Sequence, residues 1–463
     1  MSRRYDLAIL GAGPAGASAA IEARKLGLDT IVLDEAAAAG GQVYRAPAAG
    51  IAPKADSDAA AGEALRSALA ASGAELRFER RVWLGERGFG IEALGPDGNE
   101  RIEAEKLIVA AGAVERHLPV PGWTLPGAMG LAAATILLKS QGVLPGRRVV
   151  VAGAGPLLLL VAAKILEAGG EVAAIVDANG PADWLGAAAR GGRPRLALRG
   201  VGWLAAVARR RTPIFWRSVV RRIHGDGEVS AVEISGIGAG AATRLDCDAV
   251  CLGFGLRPST EVTSLLGARH VFDEEAAGWR PEVDGEQRSS VAGLFAAGDG
   301  AGVYGAAAAP LQGRIAAFAA ARELGRVDDT TQLAALQSEL ASARRFGIAM
   351  NRLSRPPEAL FAVPPDTIVC RCEVVTRAEL DDAAASGAHT LADLKAATRC
   401  GMGPCGGRIC AEAAAGILAR AIGVPRSALE PWTARVPLRP VPIERIAADL
   451  AYEDLPIPEP APL

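Results

Sequence analysis

The stretch Tyr5–Glu35 reads YDLAILGAGPAGASAAIEARKLGLDTIVLDE and decides the fold of this chain. A short apolar segment is followed by a Gly-rich turn, an Ala-rich helical segment and a second apolar segment that ends in two acids. This order of strand, tight turn, helix and acid-terminated strand is typical of a dinucleotide-binding unit, whose fingerprint is Gly-x-Gly-x-x-Gly. The sequence therefore predicts an α/β fold that begins with a nucleotide site.

Each glycine of the fingerprint has a separate role. Gly11 allows the tight turn, Gly13 lets a pyrophosphate approach the backbone, and Gly16 lets the helix pack closely on the strand. The N-terminus of the helix supplies free N–H groups for the phosphates. Asp34, at the end of the second strand, is the predicted acceptor for a ribose hydroxyl, and Glu35 is the second candidate.

Composition limits the classes of partner. The 463 residues are enough for two or three domains, and the balance of 50 basic and 52 acidic residues gives no reason to expect nucleic acid as a partner. The longest apolar candidate for a membrane helix, Pro156–Ala168, is interrupted by Lys164 and is shorter than the ~18 residues required. The N-terminus enters the first strand too soon to hold a signal peptide. We expect a cytoplasmic protein, with peripheral association at the inner membrane through a larger complex as the alternative.

A second fingerprint follows a predicted strand, Val149–Ala152. It contains Gly153 and Gly155, and its second strand ends on Asp177, so the spacing of the first unit is repeated. Leu158 replaces the third glycine, where a small side chain normally lets the helix approach the strand. We therefore expect an altered phosphate site that binds NAD(P), another nucleotide or nothing.

Later segments are predicted to return to the first nucleotide. The apolar segment ending at Gly298-Asp299 is followed by a helical stretch, Pro310–Leu324, so a carboxylate and a helix N-terminus could meet an extended dinucleotide. The loop Gly40-Gly41 gives backbone that can lie against a cofactor.

Residues Glu75–Trp83 are predicted to form one strand.

These segments resemble the two-dinucleotide-domain flavoproteins. Gly11–Gly16, Leu107–Gly112 and Gly298-Asp299 match the three FAD segments of that family, with a second nucleotide domain inserted between the last two. The resemblance implies that the first site binds FAD. The residues that it assigns to FAD are Gly11, Gly13, Pro14, Ala15, Gly16, Asp34, Glu35, Gly41, Gln42, Val82, Ala111, Gly112, Gly298 and Asp299. No Cys precedes Cys247, so the redox Cys pair that many members carry beside the flavin is missing.

The cysteines indicate a metal centre. Five of the seven lie between Cys370 and Cys410, and an odd, clustered set does not suggest structural disulfides in a cytosolic chain. Two short-spaced pairs would supply the four thiolates of a [2Fe–2S] cluster, with Gly-rich loops that bring N–H groups to the sulfurs. The predicted ligands are Cys370, Cys372, Cys405 and Cys410. Cys400 is left over as a packing or neighbouring residue, and a structural Cys₄ zinc site is the competing interpretation.

This region resembles the small [2Fe–2S] domain of bacterioferritin-associated ferredoxin, with a departure in the last spacing, at Cys410. The motifs GGQVYR, PVPGWTLPGAM, VCRCE and TRCGMGPCGGRIC resemble the larger flavoprotein subunit of bacterial opine oxidases, the B subunit of hydrogen cyanide synthase and similar subunits of proline and hydroxyproline dehydrogenases. The resemblance implies an electron-transfer subunit beside a smaller amine-oxidising FAD subunit, with a third small subunit and an FMN shared with the partner as further expectations.

The predicted fold class is α/β, with two Rossmann-like domains and a small helical C-terminal [2Fe–2S] domain. The predicted boundaries are residues 1–120 and 286–330 for FAD, 121–285 for the second nucleotide domain, 331–364 for a helical linker, 365–421 for the [2Fe–2S] domain and 422–463 for a Pro-rich tail. Two alternative functions are a self-sufficient NAD(P)H-dependent reductase and a scaffold whose nucleotide sites are structural.

Overall fold

The computed structural model describes residues 3–51, 57–238, 240–328 and 331–447. Its first sheet has seven strands in the order β3-β2-β1-β6-β5-β4, with β19 paired to β6. These strands are β1 (Arg4–Leu10), β2 (Thr30–Leu33), β3 (Glu75–Arg77), β4 (Arg81–Gly85), β5 (Gly90–Gly95), β6 (Gly98–Val109) and β19 (Leu294–Ala296). Because β1 pairs in parallel with β2 and β6, and β19 with β6, the carboxyl ends of four strands meet at one edge.

A second parallel sheet has the order β11-β10-β9-β15-β8. Its strands are β8 (Ala128–Gly130), β9 (Arg148–Ala154), β10 (Glu171–Asp177), β11 (Ile214–Trp216) and β15 (Ala249–Phe254). One face packs on an antiparallel sheet of β12 (Ser218–Asp226), β13 (Glu228–Gly236) and β14 (Thr243–Asp246). Leu158 is fully buried with side chains of β9 and β15 in the core on the other face.

The remaining strands of the described residues form three two-stranded sheets. They are β7 (Ala113–Glu115) with β16 (Leu256–Pro258), β17 (His270–Asp273) with β18 (Gly278–Pro281), and β20 (Ile368–Cys370) with β21 (Val375–Thr376). The helices are α1 (Pro14–Lys25), α2 (Ser57–Ala70), α3 (Leu131–Ile136), α4 (Pro156–Glu167), α5 (Pro181–Gly191), α6 (Pro194–Arg209), α7 (Glu261–Leu265), α8 (Ala309–Glu323), α9 (Thr331–Leu353), α10 (Arg377–Ala385), α11 (Leu391–Thr398), α12 (Ala411–Ile422) and α13 (Ile443–Ala447).

This topology confirms the predicted fold class: two Rossmann-like sheets are followed by a helical unit with its own apolar core. The domain boundaries stay predictions, and the part of the tail after residue 447 lies outside the described residues. The single strand predicted over Glu75–Trp83 is wrong. Two strands form there, β3 beside β2 and β4 beside β5, because the backbone turns at Glu79, whose φ is +54°.

Helices α1 and α8 cross at glycine. A Cβ on Gly313 would lie 1.9 Å from the carbonyl oxygen of Ala15, so the two helices touch backbone to backbone. Small residues on both helices are buried in the same core, which lets α8 press α1 onto the sheet. The packing of the first nucleotide unit therefore depends on this crossing.

We expect Gly313→Ala to destabilise the chain, since the added methyl must push the helices apart. The expected loss is about 1–3 kcal/mol in the free energy of unfolding, measured by denaturant titration. Gly200→Ala is the matched control, because Gly200 is also helical and has no atom within 4 Å of its Cβ position. The control should be stabilised by about 0.5–1 kcal/mol, and equal effects of the two variants would contradict the account.

Candidate functional site

The fingerprint turn admits only glycine at its first and third positions. Gly11 has a φ of +100°, and a Cβ there would lie 2.4 Å from the carbonyl oxygen of Ala110. A Cβ on Gly16 would lie 1.8 Å from the carbonyl oxygen of Gly11. Helix α1 begins at Pro14, after Gly13 as N-cap, so its free N–H groups lie at the turn. This is the geometry that a bound pyrophosphate requires.

Asp34 stabilises the fingerprint turn through hydrogen bonds to the backbone. Its carboxylate accepts hydrogen bonds from the N–H groups of Ala12, at 2.5 Å, and Ala36, at 2.7 Å. Burial raises the pKa of Asp34, while these two N–H groups favour its charged form. Glu35 is more exposed, and its carboxylate is 3.8 Å from the guanidinium of Arg439. The ribose roles of Asp34 and Glu35 stay predictions.

The third FAD segment reaches the first at Gly298. Its φ is +71°, and a Cβ there would lie 2.8 Å from the Cβ of Ala15. The Asp299 carboxylate accepts hydrogen bonds from the N–H groups of Tyr304, at 3.1 Å, and Gly305, at 2.9 Å. Burial raises the pKa of Asp299. Asp299 therefore shapes the loop that leads into α8, beside the fingerprint.

The second segment completes the site. Ala110 N–H donates to the carbonyl oxygen of Leu10, and a Cβ on Gly300 would lie 3.2 Å from the carbonyl oxygen of Gly112. Ala111 and Gly112 therefore lie between the first and third segments. The three predicted FAD segments converge at the carboxyl edge of the first sheet, which is where nucleotides bind in such sheets.

The Gly-Gly loop covers the turn. Gly40 N–H donates to the carbonyl oxygen of Ala12 at 2.9 Å, and a Cβ on Gly41 would lie 3.0 Å from the Cα of Gly13. Gln42 is exposed on the same loop. Val82, on β4, is half-buried and follows a turn in which Arg80 N–H donates to the Asp34 carbonyl oxygen. The individual contacts of Gln42 and Val82 with FAD stay predictions.

All four predicted cluster ligands meet in the C-terminal unit. The thiols of Cys370 and Cys410 hydrogen-bond each other, as do those of Cys372 and Cys405. Cys400 joins them, since the sulfurs of Cys370, Cys400 and Cys410 lie within 4.8 Å of one another. These three buried thiols suit an iron–sulfur centre, and the choice of Cys370, Cys372, Cys405 and Cys410 as the four ligands, with Cys400 beside them, stays a prediction.

The loops around the sulfurs fit a cluster as well. Gly401 N–H donates to the Cys370 sulfur, and a Cβ on Gly403 would lie 2.1 Å from the Cβ of Cys372. The hydrogen bond with the Cys410 thiol, with burial as the second cause, raises the pKa of the Cys370 thiol. Without iron this thiol is protonated at neutral pH, so cluster assembly must displace protons.

A residue of this chain, Ser354, lies in the crevice of the second fingerprint. A Cβ on Gly155 would lie 2.1 Å from the Oγ of Ser354, and a Cβ on Gly255 would lie 2.6 Å from the Cβ of the same serine. Ser354 therefore lies between the carboxyl ends of β9 and β15, where a dinucleotide crosses such a sheet. This contact spans about two hundred residues, and nothing in the local sequence of the fingerprint announces it.

Asp177 and Asn179, at the second site, also make hydrogen bonds within the chain. The Asp177 carboxylate accepts hydrogen bonds from Asn179 and from the indole N–H of Trp184, each at 3.0 Å or less. The Asn179 side chain donates to the carbonyl oxygen of Leu353 at 2.8 Å. The structure thus brings Gly153, Gly155 and Asp177 together as predicted, but fills the space beside them with the end of α9 and Ser354.

A buried ion triad joins the C-terminal unit to the rest of the chain. The Arg116 guanidinium lies 3.3 Å from the Glu412 carboxylate, which also pairs with Arg426. Arg116 donates to the carbonyl oxygens of Phe254 and Ala276 as well. Burial alone would raise the pKa of Glu412, but the surrounding arginines lower it below its ordinary value. Sequence analysis missed this triad because Arg116 is far from Glu412 and Arg426 in the sequence, and no local pattern links them.

His117 and Glu115 lie next to this junction. Burial lowers the pKa of His117 to about 4, and the charges of Arg257 and Arg371 act in the same direction. Burial raises the pKa of Glu115 to about 8. Both side chains are therefore largely neutral near pH 7, and His117 lines a small cavity together with Trp123 and Arg371.

The fold and the cysteine centre define the class of protein. The chain belongs to the pyridine nucleotide-disulphide oxidoreductase family, which residues 5–325 match, and residues 368–420 match the BFD-like [2Fe-2S] binding domain. It is a flavin-dependent oxidoreductase whose cofactors are FAD and a [2Fe–2S] cluster. In the described part of the chain, no helix has the length and apolarity that crossing a bilayer requires.

Within that class, the chain belongs to the family of the opine oxidase A subunit. It is 35% identical to this protein from Agrobacterium tumefaciens, over 96% of this chain and 92% of the relative. It is 33% identical to the HcnB subunit of hydrogen cyanide synthase from Pseudomonas aeruginosa, over 94% and 96% of the two chains. An L-proline dehydrogenase from P. horikoshii shares the fold with a TM-score of 0.73 at 20% identity, covering 96% of this chain and 80% of that one.

We expect Cys400→Ser to keep the cluster and Cys410→Ser to lose it. Cys400 is outside the two short-spaced pairs, so a buried hydroxyl should replace its thiol without removing a ligand. Iron and sulfide analysis with the visible spectrum of the anaerobically purified variants measures the outcome. Loss of iron from Cys400→Ser with retention in Cys410→Ser would contradict the ligand assignment.

We expect His117→Leu to flatten the acid side of the pH–stability profile. Because the pKa of His117 is lower in the folded chain, its contribution is full above pH 6.5 and is lost as pH falls towards about 4. The loss in the wild type is at most roughly 3 kcal/mol. Urea unfolding between pH 7 and 5 measures the slope, and exposed His389→Gln is the control. A slope unchanged by His117→Leu would contradict a buried, neutral His117.

Proposed function

We propose that this chain is the FAD- and [2Fe–2S]-containing electron-transfer subunit of a multi-subunit dehydrogenase that acts on secondary amines of the amino-acid or opine type. A partner flavoprotein subunit oxidises the C–H bond next to nitrogen, and this chain relays the electrons to an acceptor. When bound, flavin takes two electrons as hydride and releases them singly, and an iron–sulfur cluster carries one electron at a time.

One observation carries the proposal: the cysteine unit is docked on the flavin unit by buried contacts. The Arg116–Glu412–Arg426 triad is one of them. The cysteine unit also contacts the second nucleotide domain, where the indole N–H of Trp123 donates to the carbonyl oxygen of Ile368 at 2.7 Å. Ile368 lies two residues before Cys370, so this hydrogen bond holds the strand that carries the first predicted cluster ligand.

The residues of the chain bind and position rather than perform acid–base chemistry. The glycines of the fingerprint open the backbone for FAD, and Asp299 orders the loop beside it. Gly401 directs an N–H at a cluster sulfur, which favours the more negative, reduced state of a cluster. The arrangement supports electron relay, and no nucleophile or paired carboxylate has been assigned.

Ser354 disfavours the NAD(P)H-dependent reductase. A nicotinamide dinucleotide would have to displace Ser354 from the crevice of the second sheet before it could cross towards the flavin. Asn179, which binds the Leu353 carbonyl, holds this segment in place. The second domain is better suited to a structural role, and whether another nucleotide binds at its rim stays a prediction.

The names of the two relatives support the presence of a partner subunit. Both are named as subunits, of an opine oxidase and of a hydrogen cyanide synthase. We infer a hetero-oligomer with a smaller amine-oxidising FAD subunit, and a third small subunit and an FMN between the subunits extend this proposed assembly. Association with the inner membrane would then occur through the complex.

We expect neither NADH nor NADPH to bleach the flavin of the isolated chain, whereas a secondary-amine substrate should bleach it when the native complex is used. The complex is purified through a tag on this chain from its own organism, and opines, proline and hydroxyproline are tested as substrates under anaerobic conditions. Visible spectra report the flavin, and electron paramagnetic resonance reports the reduced cluster.

Two results would contradict the proposal. Rapid bleaching of the isolated chain by NADH or NADPH would favour the reductase. A flavin and cluster that stay oxidised while the complex turns over amine would favour the scaffold.

A further inference from the structure

Three side chains bridge the flavin edge and the cysteine loop: Ser259, Glu261 and Arg408. The bridge begins at Gly112, in the second FAD segment, whose carbonyl oxygen accepts a hydrogen bond from Ser259 N–H at 3.0 Å. The Ser259 hydroxyl then donates to the Glu261 carboxylate at 3.0 Å. Ser259 is buried, so this end of the bridge is shielded from water.

Arg408 forms the other end of the bridge. Its Nε lies 3.0 Å from the second carboxylate oxygen of Glu261, and its Nη1 donates to the carbonyl oxygen of Cys405 at 2.9 Å. Its Nη2 donates to the carbonyl oxygen of Leu438 at 2.9 Å, which fixes the plane of the guanidinium. The side chains of Arg408 and Glu261 are 15% and 21% exposed, so solvent screens their attraction only in part.

The backbone of Arg408 is held as well. Its carbonyl oxygen accepts a hydrogen bond from the Arg257 guanidinium at 2.9 Å. Arg257 lies on β16, two residues before Ser259. The short segment 257–261 therefore contacts both the main chain and the side chain of Arg408. A planar guanidinium can bind several acceptors at fixed angles, which an ammonium cannot do.

We propose that Ser259, Glu261 and Arg408 couple the flavin site to the cluster, with Glu261 and Arg408 as positioning residues. The proposal rests on the proposed function. With both cofactors bound, the reduced flavin would give its two electrons one at a time to a ferric ion of the cluster, which would pass the first to the acceptor before it takes the second, and no bond in the protein would form or break. The bridge supplies a continuous series of polar contacts from Gly112 to the backbone of Cys405, a predicted cluster ligand.

The test measures intramolecular electron transfer in the full, anaerobically purified chain with both cofactors bound. A light pulse with a deazaflavin photoreductant reduces the flavin, and absorbance follows the subsequent reduction of the cluster. The variants are Arg408→Met and Glu261→Ala, which break the bridge, and Glu261→Gln, which keeps a polar side chain of the same size beside Arg408 without the charge. Arg377→Met, in α10 of the same unit, is the control for removal of one positive charge. Flavin content, iron content and the reduction potential of the cluster are measured for each.

We expect Arg408→Met and Glu261→Ala to slow transfer about tenfold or more, equivalent to about 1.4 kcal/mol in the barrier. The change in cluster potential should not account for the slowing, and Glu261→Gln and Arg377→Met should remain near the wild-type rate. Wild-type rates in both bridge-breaking variants, with flavin and iron intact, would overturn this inference. Loss of iron from both would make the pair a structural brace and would overturn it too. A wild-type chain without any flavin-to-cluster transfer would instead refute the proposed function.

Discussion

The buried ion triad of Arg116, Glu412 and Arg426 fixes the cysteine unit against the flavin unit. A charge removed from water is costly unless its partner is in place, and breaking such a pair by removing one member typically costs about 3–5 kcal/mol. Arg116 follows the second FAD segment closely in sequence, and Glu412 lies in the first turn of the helix after Cys410, the last predicted cluster ligand. The triad therefore connects the segment after the second FAD segment to the helix that follows the cysteine loop.

Helix α9 imposes a second constraint, since it holds the two nucleotide units together. A Cβ on Gly347 would lie 2.6 Å from the Cα of Tyr304, in the loop beside the flavin site, and the Asn351 side chain donates to the carbonyl oxygen of Val303. On the other side, a Cβ on Gly191 would lie 2.8 Å from the ring of Phe346. The same helix ends at Ser354 in the second crevice. Helix α9 thus contacts both the loop beside the first site and the crevice of the second sheet.

Local patterns predicted the parts of the molecule that local chemistry determines. The fingerprint glycines and the two parallel sheets depend on neighbouring residues, and the structure forms them where the sequence predicts. The cysteine cluster was predictable because five of the seven cysteines lie close together in the sequence. The contacts of Ser354, Arg116 and Arg408 were not, since each joins segments far apart in sequence and carries no periodic signal. The sequence predicted the position of Asp34 at the end of the second strand. It did not predict the hydrogen bonds of Asp34 to the turn, which only the three-dimensional structure reveals.

The central claim is that one polypeptide holds a flavin and an iron–sulfur cluster in two units that are packed against each other. Its most direct test is a cofactor analysis of the chain after anaerobic purification from a host that assembles iron–sulfur clusters. FAD, iron and inorganic sulfide are quantified per chain, and the spectrum is recorded before and after reduction with dithionite. The account predicts FAD in equal amount to a two-iron, two-sulfide cluster. A yellow protein that contains zinc, or no metal, and lacks sulfide would contradict it.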